Sequence, residues 1–390
     1  MTTPPRRPVS QFVGAALIGL LAITGAHLLI APRVVTAQGS PKVAVPRFEM
    51  ETNFLKGALP NGWVMGAIGS IDIDSRDHVW LLTRPRELPV DQRAKGAPPV
   101  IEFDETGKFV QAWGGPVTSG EYEWPGREHA LGVDPEGFVW IGGNAGEGSG
   151  AMKTPDDDAL LKFTTSGKFV KQFGRQNSSK GNADTANVKE PTVVRFHKGE
   201  AYVSDGYGNR RVAVFDARTM AFKRMWGAFG NVPKDGPQRD PARAAGWDPG
   251  PPQFGLPHAL AVSNDDKVYV ADRPNRRIQV FTLQGKFLNQ VVISGGHQPV
   301  VATDGTGAVT LSSDPQQRFV YVGDPNAPDD KTLIVVDRKT MKIVDRFGHK
   351  DTRNPHEIAT DSHGNLYIAS GSVLPRYVFK GVADKVVSTN

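Results

Sequence analysis

The sequence has no cysteine among its 390 residues. That absence excludes disulfides, thiolate metal sites, a cysteine nucleophile and a lipid-modified N-terminal cysteine. Any metal must be held by imidazole, carboxylate or carbonyl groups. Compartment is left open, because exported proteins can lack disulfides. Runs of Lys and Arg never exceed two residues, although the formal net charge is +5. A phosphate-tracking groove needs clustered cations, so nucleic acid is not an expected partner. The scattered positive charge suits an anionic small molecule instead. Also missing, beyond residue 40, is any long helical pattern. In its place 43 Gly and 30 Pro punctuate short β-rich runs, in a chain long enough for one large domain or two ordinary ones.

The N-terminus carries Arg6 and Arg7, then an uncharged run from Phe12 to Ala31, then "PRVVTAQGS". A basic region, an apolar region and a small-x-small site at Val35-Thr36-Ala37 read as a signal peptide over residues 1–37, cleaved before Gln38. The apolar run is also just long enough to span a bilayer, which keeps an uncleaved anchor as the alternative. On either reading the body is exported, periplasmic or secreted, and meets a membrane only through this segment. Residues 38–61 read as a linker with a ring-closing strand, and 62–390 as the folded domain, expected to be a monomer.

Internal repeats decide the fold. "VIEFDETGKFVQAWGG" from Val100, "LLKFTTSGKFVKQFGR" from Leu160 and "IQVFTLQGKFLNQVV" from Ile278 are each a β-rich run, a turn ending in Gly-Lys and a second run. "VAVFDARTMAFKRMWG" and "LIVVDRKTMKIVDRFG" repeat the pattern with a longer turn. Alternation and turn chemistry make all five hairpins. Ahead of the hairpins lie six strand pairs: "IDIDSRDHVWLLTR", "LGVDPEGFVWIGG", "VVRFHKGEAYVSDG", "LAVSNDDKVYVADR", "VATDGTGAVTLSS" and "IATDSHGNLYIAS", five of them with an aromatic in the second strand. Six units of four strands predict an all-β, six-bladed β-propeller. The last unit runs out of chain, and "VAVPRFEM" near Val43 is the expected closing strand.

Trp140, Tyr269 and Tyr367 each lie eleven residues after a histidine: His129, His258 and His356. The same offset elsewhere lands on Gly69, Pro191 and Pro299. The histidines thus fall in alternate blades, at the start of the strand that lines the channel. Three neutral imidazoles converging on an axis, with a fourth position open, is the pattern of catalytic zinc. Second strands return to the same rim and bring Arg84, Tyr207 and Arg273 there. Two cations suit a substrate carboxylate, and a tyrosine beside a divalent ion can serve as a base. The plainer reading has these residues capping strands and pairing with Asp205 or Asp272.

"VSDGYGNRRVAVF", "LPHALAVSNDDKVYVADRPNRRIQVF" and "NPHEIATDSHGNLYIA" resemble segments of the peptidyl-α-hydroxyglycine α-amidating lyases, six-bladed propellers with NHL-type repeats. The resemblance spans roughly Gly62 to Phe379. It implies zinc held by His129, His258 and His356, Tyr207 as base, and Arg84 and Arg273 on the substrate carboxylate. The implied reaction breaks the C–N bond of an α-hydroxyglycine-type substrate to an amide and glyoxylate. It also implies a structural calcium held by the carbonyls of Ile71 and Leu131 and the carboxylate of Glu357, where the family has Asp. Other departures are Gly208 in place of a disulfide cysteine beside the tyrosine, Asn354 in place of Met, and two long loops. The first, "GGNAGEGSGAMKTPDDD", carries an Asp run read as a solvated tip, with a second calcium site as the alternative. The other, "NVPKDGPQRDPARAAGWDPGPPQ", is placed to overhang the mouth. Nothing in the sequence reads as a glycine-hydroxylating domain. Competing readings are a calcium-dependent propeller lactonase or esterase, and a non-catalytic NHL scaffold binding a protein or envelope partner.

Overall fold

The structure is a computed structural model that describes residues 42–146, 155–236, 250–293, 305–325 and 330–386. The signal or anchor segment lies outside these residues, as do Pro299 and parts of both long loops. Within them no helix is long and apolar enough to cross a membrane.

The strands form six four-stranded antiparallel sheets, each a blade of one propeller. Innermost strands run Ala67–Ile73, Glu128–Asp134, Pro191–His197, Pro257–Val262, Ala308–Leu311 and Glu357–Thr360. Each packs against the next and the sixth against the first, so the ring is closed. Blade six takes its outer strand from the other end of the chain: Lys42–Glu51 pairs antiparallel with Arg376–Val386. Turn chemistry explains the outer hairpins. The glycines of the Gly-Lys turns, Gly107, Gly167 and Gly285, hold φ of 85°, 82° and 84°, a left-handed region that glycine enters without a Cβ clash.

Six apolar clusters, one at each blade–blade interface, make up the core among the described residues. The second strand of every blade contributes a buried aromatic: Trp80, Trp140, Tyr202, Tyr269, Tyr321 and Tyr367. Tyr321 corrects the expected fifth unit. In "VATDGTGAVTLSS", whose first four residues lie outside the described ones, Ala308–Leu311 is the inner strand and the later Phe319–Gly323 its partner. The polar stretch 312–318 connects them where a tight turn was expected.

Candidate functional site

Each inner strand of blades one to four starts with a register irregularity that leaves one residue unpaired in the ladder. Those residues are Gly69, His129, Thr192 and His258. In every blade this position lies three residues before the partner of the buried aromatic, which places Gly307 and His356 at it in blades five and six. Pro191 is therefore off by one, because the turn at His197–Glu200 is a residue tighter than its counterparts. Pro299 gives way to Gly307 because the fifth unit was drawn one strand early.

The three imidazoles meet as expected. Their ring centroids are 5.1, 4.9 and 5.0 Å apart, with the ligand atoms all within 4.8 Å of one another. Two of the rings are held in a defined tautomer by carbonyls of intervening blades. His129 Nδ1 donates to Thr192 O at 3.0 Å and His258 Nδ1 to Gly307 O at 2.6 Å. A carbonyl can only accept, so the proton sits on Nδ1 and the Nε2 lone pair points into the site. His129 Nε2 is fully buried without a hydrogen-bond partner, a costly arrangement in an apolar interior unless something else is to be bound there. Burial foremost, then charged neighbours, lowers all three imidazoles well below their ordinary value. The set is neutral and convergent, with two of its rings pre-oriented and His356 Nδ1 left without a partner, which fits zinc.

Tyr207 stands beside this cluster, following the strand Glu200–Asp205. Its Oη donates to His258 Nε2 at 3.3 Å and accepts from Arg273 NH1 at 3.4 Å. No disulfide is needed to place it, because Tyr207 N and Gly208 N donate to Glu190 O and Lys189 O, both at 3.2 Å. Arg84 is buried, its Nε donating to Glu128 O at 2.8 Å, while NH2 has no partner. Burial, reinforced by Arg127, lowers the Arg84 guanidinium to about 10. Asp205 and Asp272 are not the partners of these cations. They bind Arg211 Nε at 2.8 Å and Arg277 Nε at 3.0 Å, inside blades three and four.

Both intervening glycines lie under an arginine, but only Gly69 is needed to make room for one. A methyl group on Gly69 would sit 2.6 Å from Glu128 O and 3.2 Å from Arg84 Nε. On Gly307 the nearest atoms would be Arg273 Nε and Cδ at 3.6 and 3.8 Å. The alternation thus has two halves: three blades present imidazoles, blades three and five supply carbonyls, and blade one supplies clearance. The Thr192 and Gly307 carbonyls went unforeseen, since backbone acceptors leave no mark in residue identity.

Ile71, Leu131 and Glu357 also converge, one layer farther down the channel. Glu357 is buried and its Oε2 accepts from Ser70 Oγ at 2.8 Å and Ile71 N at 3.3 Å. Burial pushes this carboxyl up to about 8. Arg195 stands among them, donating to Leu131 O at 3.1 Å and Ile71 O at 3.3 Å. The Asp run differs from expectation. Asp157 and Asp158 are buried, not a solvated tip. Asp157 accepts from Gly126, Arg127 and Ala145 N, anchoring the loop that leads into His129. A further grouping, Asp74, His78 and Glu102, is an ion-pair network: Arg76 bridges the two carboxylates at 2.6 and 2.9 Å.

An NHL repeat model matches residues 254–281, the segment containing His258 and Arg273. The chain is 22% identical over 363 residues to the peptidyl-α-hydroxyglycine α-amidating lyase 1 of Drosophila melanogaster, covering 84% of this chain and 61% of that protein. It is 28% identical over 253 residues to the peptidylglycine α-amidating monooxygenase of Rattus norvegicus, covering 62% of this chain and 22% of that one. The chain is thus similar to the amidating lyases and carries one segment that matches the NHL repeat. Another relative of this NHL propeller is the NHL repeat-containing protein 3 of Mus musculus, 25% identical with 72% of each chain covered. Among solved structures, a streptogramin B lyase superposes with a TM-score of 0.50 at 12% identity, covering 86% of this chain and 98% of that one. That likeness concerns the fold. The NHL propeller spans less than two thirds of the rat and fly proteins it matches.

Proposed function

We propose that the protein is a zinc-dependent carbon–nitrogen lyase acting on an α-hydroxyglycine-type substrate, a carbinolamide next to a carboxylate. The observation that carries this reading is the convergent imidazole triad, with His129 and His258 fully buried, His129 Nε2 unpartnered and two tautomers fixed from behind. Zinc, if held by the imidazoles of His129, His258 and His356, would supply a Lewis acid for the negative charge that develops on the substrate hydroxyl oxygen. Arg84 and Arg273 hold the carboxylate, Arg84 bringing a buried guanidinium with an unpartnered NH2. Tyr207 takes the hydroxyl proton. The O–H electron pair becomes the aldehyde C=O, the C–N bond breaks, and Tyr207 passes the same proton on to the departing amide nitrogen. The products are an amide and glyoxylate, and no oxidant is consumed. Arg273 NH1, 3.4 Å from Tyr207 Oη, holds that oxygen beside the imidazoles.

Similarity to an NHL repeat-containing protein supports a second reading, a non-catalytic scaffold that binds a partner at its rim. The lactonase reading has less support. Its channel carboxylates are replaced at this level by His, Gly and Thr.

The two surviving readings part on one experiment: elemental analysis of the purified protein and glyoxylate release from an N-acyl-α-hydroxyglycine. About one zinc per chain with glyoxylate release, both abolished in His258→Ala, is the expected result. Turnover retained in His258→Ala would sink the zinc-lyase reading.

A further inference from the structure

Below the imidazole layer the inner strands of blades one, two and six bring oxygen atoms toward the channel axis. The carbonyls of Ile71 and Leu131 face inward there, with the buried carboxylate of Glu357 close by. Three such groups would ordinarily ask for a hard cation. Instead the side chain of Arg195 reaches in from blade three. NH1 donates to Leu131 O at 3.1 Å and to Val194 O at 2.8 Å, and NH2 donates to Ile71 O at 3.3 Å. NH1 also lies 3.8 Å from Asp72 Oδ1, whose other oxygen accepts from Val133 N at 2.8 Å.

Both carbonyls already receive a charged donor, which leaves Glu357 Oε1, buried without a hydrogen-bond partner, as the one oxygen of the set that the guanidinium does not address. We infer that Arg195 is a built-in cation standing where a structural metal would otherwise sit, tying blades one, two and three together at the axis. A planar guanidinium suits the task. Its several N–H groups address carbonyls on two different strands at once, and its charge is permanent. A bound ion must instead be captured after the blades have met. The inference rests on other residues than the zinc site, which lies one layer nearer the rim.

The test is thermal unfolding of the full protein in calcium-free buffer and after adding calcium chloride, with zinc held constant. The wild type is expected to melt within about 1 °C in both and to retain no stoichiometric calcium after dialysis. Arg195→Met removes the cation and keeps the apolar stem. Its melting temperature is expected to fall by several degrees, and calcium is expected to restore about half or more of the loss. Entry is open, since Arg195 lines a cavity of about 420 Å³ at the mouth opposite the histidines. Arg195→Lys keeps one charge and is expected to stay insensitive to calcium. Wild type that retains one calcium per chain, or melts several degrees higher with it, overturns the inference. So does an Arg195→Met protein that is undiminished, or diminished without relief by calcium. If that variant does not fold, the wild-type titration alone decides. Zinc content and glyoxylate release are read separately, so failure here leaves the lyase reading to its own test.

Discussion

Gly69 and Gly307 occupy equivalent positions under the two arginines but carry different steric loads. A methyl group at Gly69 would press on a backbone oxygen at 2.6 Å and on the Arg84 guanidinium at 3.2 Å. At Gly307 the contacts are ordinary, none closer than 3.6 Å. Gly69→Ala is expected to cost about 1–3 kcal/mol of stability and to raise KM for a carboxylate substrate about tenfold, through misplacement of Arg84. Gly307→Ala should stay within about threefold of wild type in kcat/KM. Steady-state kinetics on both variants, with melting curves, make the comparison. At this scale the triad was legible because one spacing recurs from His129 to Trp140, His258 to Tyr269 and His356 to Tyr367. The carbonyl partners were not, because the residue-tighter turn of blade three and the longer connection of blade five break that spacing. Arg195 was silent for a different reason: a long side chain acts far from the strand position that names it.

The element that best shows how a blade is held is the third. Glu200, on its second strand, accepts from Arg224 NH1 at 2.9 Å and Tyr202 Oη at 2.8 Å, and pairs with Lys223. Hydrogen bonds from Arg224, above all, lower the Glu200 carboxyl from 4.5 to about 2. The folded value is the depressed one, so its contribution is present in full above the unfolded value near 4.5. It is lost as pH falls from there through about 2. Glu200→Gln is expected to cost about 1 kcal/mol at neutral pH, discounted for partial exposure. The variant should also flatten the fall in stability between about pH 4.5 and 2; urea melts across that range check it. Blades three and four share a buried latch, Asp205–Asn209–Arg211 and Asp272–Asn275–Arg277, which fastens each second strand to the third. These repeats were plain in the sequence because hairpin alternation and Gly-Lys turns are local signals. The fifth unit was misdrawn because its inner strand, Ala308–Leu311, is only four residues long and lies among glycines.

The whole molecule depends on one seam. Lys42–Glu51 completes blade six, and Phe48 on that strand stacks on Phe347 at 5.0 Å and meets Tyr321 at 5.7 Å, so the seam also joins blade five. Phe48→Ala is expected to cost about 2–3 kcal/mol, below the range for a fully buried phenylalanine. Calorimetry should show the melting temperature lowered by several degrees. A ring was foreseeable because five complete hairpins left the sixth unit a strand short, with one β-rich segment unclaimed at the other end. In folding terms, the seam pairs Lys42 with Val386. Its loop-closure entropy is therefore nearly that of the entire chain. A polypeptide emerging end-first must hold five whole blades and two strands of the sixth before the partner of its first strand exists. Blade closure is thus the last possible step of folding, and until it happens the chain carries an unpaired strand edge that could pair with a neighbouring copy.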